Sequence, residues 1–178
     1  GKQIRNFFDP KTGKLNSRPQ STEFYRRPGL TWPLRARKFC PQALPADAVI
    51  SVRGSGIFSE NPLLYLGLFS SRAVDLLLRM LSGREGHPQY DMGDISALPL
   101  PRVSPEVSST LERLSFRGWS LKRTLDTINE TSHAFLLPAV LRTLLGDYVP
   151  AAIDAELIQI QTEIDDIAFD LYRFSEAD

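Results

Sequence analysis

The chain has 178 residues with 21 basic and 21 acidic side chains, and 42% of it is hydrophobic; this is globular composition, with room for one good core or two small ones. No apolar run reaches the ~18–20 residues that span a bilayer, and the N-terminus has no hydrophobic signal segment, so no membrane partner is expected. Cys40 is the only cysteine and His87 and His133 are the only histidines, which excludes an internal disulfide and a structural zinc site and points to a reducing cytoplasm. The first residue is Gly, which fits part of a longer chain. Residues 1–60 hold eleven Lys/Arg and four Asp/Glu, residues 61–102 hold four of each, and residues 103–178 hold six Lys/Arg and thirteen Asp/Glu. A chain running from +7 to −7 places any nucleic-acid face on its first part.

Residues 1–23 form a polar, irregular leader with a turn at Asp9–Lys14 and Asn6-Phe7-Phe8 as one side of a hairpin. Lys2, Arg5, Lys11, Lys14 and Arg18 either extend a basic surface or are simply solvated. Residues 24–39 are the most informative stretch. Arg26, Arg27, Arg35, Arg37 and Lys38 are interleaved with Phe24, Tyr25, Trp32 and Phe39, and no residue there is acidic. Pro28-Gly29 and Pro33 forbid a helix, so this is an extended, turned ribbon. Cations and rings on a ribbon suit a phosphate backbone with base edges beside it; a solvated edge strand is the plain alternative.

Leu30-Thr31-Trp32 is a short strand candidate, and Ala48–Arg53, β-branched and lying between Pro45 and Gly54, is the clearest one. Gly54-Ser55-Gly56 is a tight turn before Ile57-Phe58 and matches no phosphate-binding glycine motif. Asn61 and Pro62 start a helix over 61–82 that Gly83 stops and that packs on the sheet. Arg84–Gln89 is an exposed loop, and Tyr90–Ile95 is a strand closed by Pro99 and Pro101. Ser104-Pro105 caps a helix running to about residue 130, and residues 131–146 read as a shorter helix, kinked or started at Pro138 and ended at Gly146. Ile153, Leu157, Ile160, Ile164, Ile167, Leu171 and Phe174 alternate four and three apart, the seam of a coiled-coil-like helix. Asp154, Glu156, Glu163, Asp165, Asp166 and Asp170 lie off the seam and are expected on a solvated face rather than around a metal.

Phe24–Trp32 is similar to a signature in the target-recognition region of large adenine-specific DNA methyltransferases. These are the single-chain restriction-modification enzymes and the related BREX phage-defence methyltransferases (PglX). Gly54–Phe58, Tyr90–Ile95 with Leu98–Pro101, and Glu163–Tyr172 resemble three further pieces of that region, in the same order. The catalytic pieces are not in this segment: there is no cofactor-binding glycine motif, and Asn61-Pro62-Leu63-Leu64-Tyr65 lacks the second proline of the Asn-Pro-Pro-Tyr loop. The resemblance implies a recognition module beside an upstream methyltransferase domain of the same chain. The parent would be a site-specific DNA (adenine-N6) methyltransferase that flips an adenine out of double-stranded DNA and methylates it with S-adenosylmethionine, a cofactor with no site in this segment.

The expected fold is α+β. A small, mostly antiparallel sheet with a packed helix (1–102, recognition domain) precedes an antiparallel helical bundle (103–178, spacer). The candidate DNA-binding residues are Tyr25, Arg26, Arg27, Thr31, Trp32, Arg35, Arg37, Lys38, Arg53, His87 and Gln89; no catalytic or metal-binding residue is expected. Two alternatives remain open. One is a separate restriction-modification specificity subunit. The other is a protein-interaction module that docks through the 153–174 seam and takes an acidic partner, a DNA-mimicking inhibitor among them, on the ribbon.

Overall fold

Gly29 lets three short strands close on one another. A Cβ at this position would stand 2.5 Å from the Ile57 carbonyl oxygen, so only glycine allows the approach. The computed structural model describes residues 6–16, 21–50, 54–83, 89–146 and 148–175. Within it β1 (Gly29–Thr31) lies between β2 (Gln42–Leu44) and β3 (Gly56–Ile57), antiparallel to both. Leu30 faces Ala43 on one side and Ile57 on the other. The expected strand at 48–53 is not found: residues 48–50 are irregular, and 51–53 lie outside the described residues. The second strand is instead Gln42–Leu44, whose outer side chains stay exposed. The leader turn forms as expected, with Phe8 bridged to Leu15 and the Asp9 carboxylate accepting from the Lys11 and Thr12 amides at 2.7 and 2.9 Å. Those two amides hold the Asp9 carboxyl below its ordinary value.

The helix expected over 61–82 is two helices, α1 (Pro62–Phe69) and α2 (Arg72–Ser82). Asn61 caps α1, and Gly83 ends α2 at φ 57°. The break falls at Ser70-Ser71. The Ser70 hydroxyl turns back to the Leu66 carbonyl at 2.7 Å, and Ser71 caps α2 by accepting from the Val74 amide. Serine bonds its own backbone in this way and so favours caps over helix interiors. A second correction concerns Tyr90–Ile95, expected as a strand. Asp91 is the N-cap residue of a short helix, α3 (Met92–Ala97), and Tyr90 is buried at 1% exposure.

The long helices α4 (Pro105–Asp126) and α6 (Pro150–Tyr172) follow the sequence closely, with α5 (Ala139–Leu144) between them after Pro138. The Tyr148 hydroxyl reaches the Leu125 carbonyl and Arg117 meets Glu156, so α4 and α6 run antiparallel. The fold is therefore α+β, with one core under the sheet around Leu30, Phe39, Leu68, Val74 and Tyr90. A second core joins Leu111, Leu114 and Leu121 of α4 to Ile160 and Ile164 of α6. The seam is thus filled inside the chain. Packing crosses residue 102 at several points. Gly67 of α1 lies so close to α4 that a Cβ would stand 2.5 Å from the Ser115 hydroxyl oxygen. Asp165 of α6 accepts the Arg72 amide at 2.7 Å and pairs with its guanidinium at 3.1 Å. Asp165 is only 4% exposed, which corrects the expectation that every acid off the seam is solvated: the N-terminus of α2 arrives there and needs an acceptor.

Candidate nucleic-acid interface

Residues 24–39 supply the central strand β1, and the segments on either side of it are pinned at several points. At one end Phe24 stacks on Phe58 with ring centroids 4.8 Å apart, and the Arg26 amide donates to the Ala48 carbonyl at 2.9 Å. Arg26 sits at φ 64°, a left-handed conformation that turns the chain into β1. Arg27 lays its guanidinium over the Phe24 ring, 5.7 Å from the centroid. In the middle, Arg35 is bridged to Gln89 by backbone, and the Tyr90 amide donates to the Leu34 carbonyl. At the far end the Phe39 amide donates to Asp75 at 2.7 Å, and Arg79 donates to the Arg37 carbonyl at 2.6 Å.

The side chains divide into two groups. Trp32 is 3% exposed, packs against Phe39 and donates its indole N–H to the Tyr90 carbonyl at 3.0 Å. It is a core residue and is not presented at the surface. Thr31 is half-buried, and its hydroxyl donates to the Ser55 carbonyl at 2.9 Å. Tyr25 is half-buried at the end of a 3-10 turn over Thr22–Phe24. Arg26, Arg27, Arg35, Arg37 and Lys38 are all exposed. Among the described residues none of the five forms an ion pair with a carboxylate; the pairs there are Arg72–Asp165, Arg79–Asp75 and Arg117–Glu156. Arg35 and Gln89 come together, Nε to Oε1 at 3.3 Å, and Gln89 in turn donates to Asp91. Arg53 and His87 lie outside the described residues.

Asp75 organises the floor beneath the ribbon. It accepts from the Phe39 amide, the Tyr90 hydroxyl at 3.1 Å and Arg79 at 2.9 Å. Burial, and then the Asp75 charge, push the Tyr90 hydroxyl up to about 12, so it stays a donor. Only Arg79, one turn along the same helix, is a local partner of Asp75; Phe39 and Tyr90 come from two other segments, so the local sequence does not mark this role. Also missed is a group on the outer face of α4, where Arg113, Phe116, Arg117, Trp119, Lys122 and Arg123 are all exposed. The signal for it is present as an acid-free run, residues 113–125, hidden within a half of the chain that is acidic overall.

Among the described residues no group of three or more His, Cys, Asp or Glu is placed to hold a metal ion, and no helix is long and apolar enough to cross a membrane. No protein-family model matches the chain, and no match is found among the curated proteins.

Proposed function

We propose that the chain is the DNA target-recognition module of an adenine-N6 DNA methyltransferase of the restriction-modification or BREX phage-defence kind. One observation carries the reading: five exposed cations, without carboxylate partners among the described residues, stand on a ribbon whose backbone is fixed at both ends and in the middle. A prefixed ribbon loses little conformational freedom on binding, which suits it to phosphates and base edges. The resemblance of four ordered sequence pieces supports the choice of parent enzyme. In that enzyme an upstream domain of the same cytoplasmic chain binds S-adenosylmethionine and does the chemistry, and an acidic DNA-mimicking inhibitor would compete for the ribbon.

Arg26 and Arg27 flank the bend into β1 and are assigned to base reading, while Arg35, Arg37 and Lys38 are assigned to phosphates. A separate specificity subunit would use the same ribbon. Docking through the 153–174 seam loses its basis, since Ile160 and Ile164 are already buried against α4. The test is to map methylated motifs made by the full-length enzyme carrying Arg26→Ala or Arg27→Ala. A motif relaxed at one position supports the reading; unchanged motifs and affinity in both variants would move base reading off this bend.

A further inference from the structure

Residues 113–125 on α4 hold Arg113, Arg117, Lys122 and Arg123 and no acidic residue. Arg117 is committed to Glu156 through two bonds of 2.5 and 2.8 Å, and Glu112, just before the run, turns away to Asn61 at 2.7 Å. Arg113, Lys122 and Arg123 have no carboxylate partner among the described residues. Two large rings stand between them, Phe116 at 56% and Trp119 at 41% exposure, with centroids 5.8 Å apart. Arg123 lies over Trp119 at 5.8 Å. A merely solvated helix face has no need of two half-exposed rings, whereas aromatic and Arg enrichment with exposed cations is a common composition of a recognition surface.

The position of this face relative to the ribbon decides the partner. Lys38, the last cation of the ribbon, lines a cleft of about 940 Å³ that Trp119 and Lys122 of α4 also line. Asp126 and Asp154 also line the cleft and would repel phosphates from their part of it. On the same helix Arg123 follows Lys122 directly, and Arg113 lies nine residues before Lys122.

We propose that duplex DNA flanking the recognised bases runs from the ribbon across this cleft onto α4. Its phosphates are held by Arg113, Lys122 and Arg123, and its sugars rest against Phe116 and Trp119. This inference rests on the ribbon being a DNA surface and extends it to the helical layer.

The experiment compares the chain with its Arg113→Ala/Lys122→Ala/Arg123→Ala variant on a short duplex that covers only the recognised site and on one with long flanks. All three side chains are exposed, and equal unfolding midpoints confirm that the variant folds; if it does not, the single substitutions are compared instead. The salt slope of log K is expected to fall by about 0.9 per lost contact, so by nearly 3 on the long duplex, with no difference on the short one. Arg→Lys replacements at 113 and 123 should keep the slope. An unchanged slope on both lengths, with ribbon variants still impaired, overturns this inference and leaves the ribbon reading standing. Equal loss on both lengths also overturns it, by placing α4 inside the recognised site. No salt-dependent affinity in the unmodified chain overturns both.

Discussion

Asp165 gives the sharpest test of how the two cores are joined. Its carboxylate is 4% exposed and makes three interactions: the Arg72 amide at 2.7 Å, the Arg72 guanidinium at 3.1 Å and Gln161 Nε2 at 3.0 Å. Asp165→Ala strips the acceptor from the first amide of α2, and an orphaned donor of this kind costs about 1–3 kcal/mol. The ion pair adds little, because the Arg72 side chain is 79% exposed and water screens it; such pairs give about 0.2–1 kcal/mol. Gln161 keeps its bond to the Ser70 carbonyl, so it contributes least. The sum is about 1–4 kcal/mol for Asp165→Ala. Arg72→Ala keeps the backbone bond and should cost under about 1 kcal/mol, though it removes the same ion pair. Urea unfolding followed by circular dichroism measures both. Equal costs for the two substitutions, or an Asp165→Ala protein within about 0.5 kcal/mol of wild type, would refute the claim that the carboxylate acts as a cap rather than as half of a salt bridge.

Other consequences follow from packing and titration. Ile164→Asp puts a carboxylate at a site 5% exposed between α4 and α6 and should destabilise by several kcal/mol; unfolding near wild type would mean the seam is not filled within the chain. Gly29→Ala drives a Cβ to 2.5 Å from a backbone oxygen and should cost about 1–3 kcal/mol, whereas Gly93→Ala, with open space around it in α3, should be neutral or slightly stabilising in the same melt. Burial pushes Tyr90 and Tyr172 to about 12, favouring their neutral forms in the folded chain. Their contribution is therefore full below pH ~10 and lost as pH rises toward 12, so a Tyr90→Phe/Tyr172→Phe variant should show a flatter loss of stability over that range than wild type.

Local signals were legible and distant ones were not. Asn61-Pro62 and Ser104-Pro105 each start a helix where expected, because a cap is a contact between residues two or three apart. The seam at 153–174 was legible because both of its faces are set by one period. The break at Ser70-Ser71 was hidden by apolar spacing that runs straight through it. Gln42–Leu44 carries no alternation and becomes a strand only because β1 lies beside it. Tyr90-Asp91 looks extended in sequence, yet Tyr90 is held by Leu34, Trp32 and Asp75, all remote in the chain. In the candidate interface, the charge pattern located the exposed cations, but burial of Trp32 against Phe39 depends on tertiary packing that no local pattern displays.

The central claim is that the ribbon binds DNA, and a salt titration tests it most directly. The chain and its variant with Arg26, Arg27, Arg35, Arg37 and Lys38 all changed to Ala are titrated against duplex DNA carrying the parent enzyme's methylation motif, between low and moderate salt. Measurable affinity with a slope that drops by about 0.9 for each phosphate contact removed is the expected result. Equal affinity and equal slope for the two proteins would contradict it and leave the five cations as simply solvated side chains.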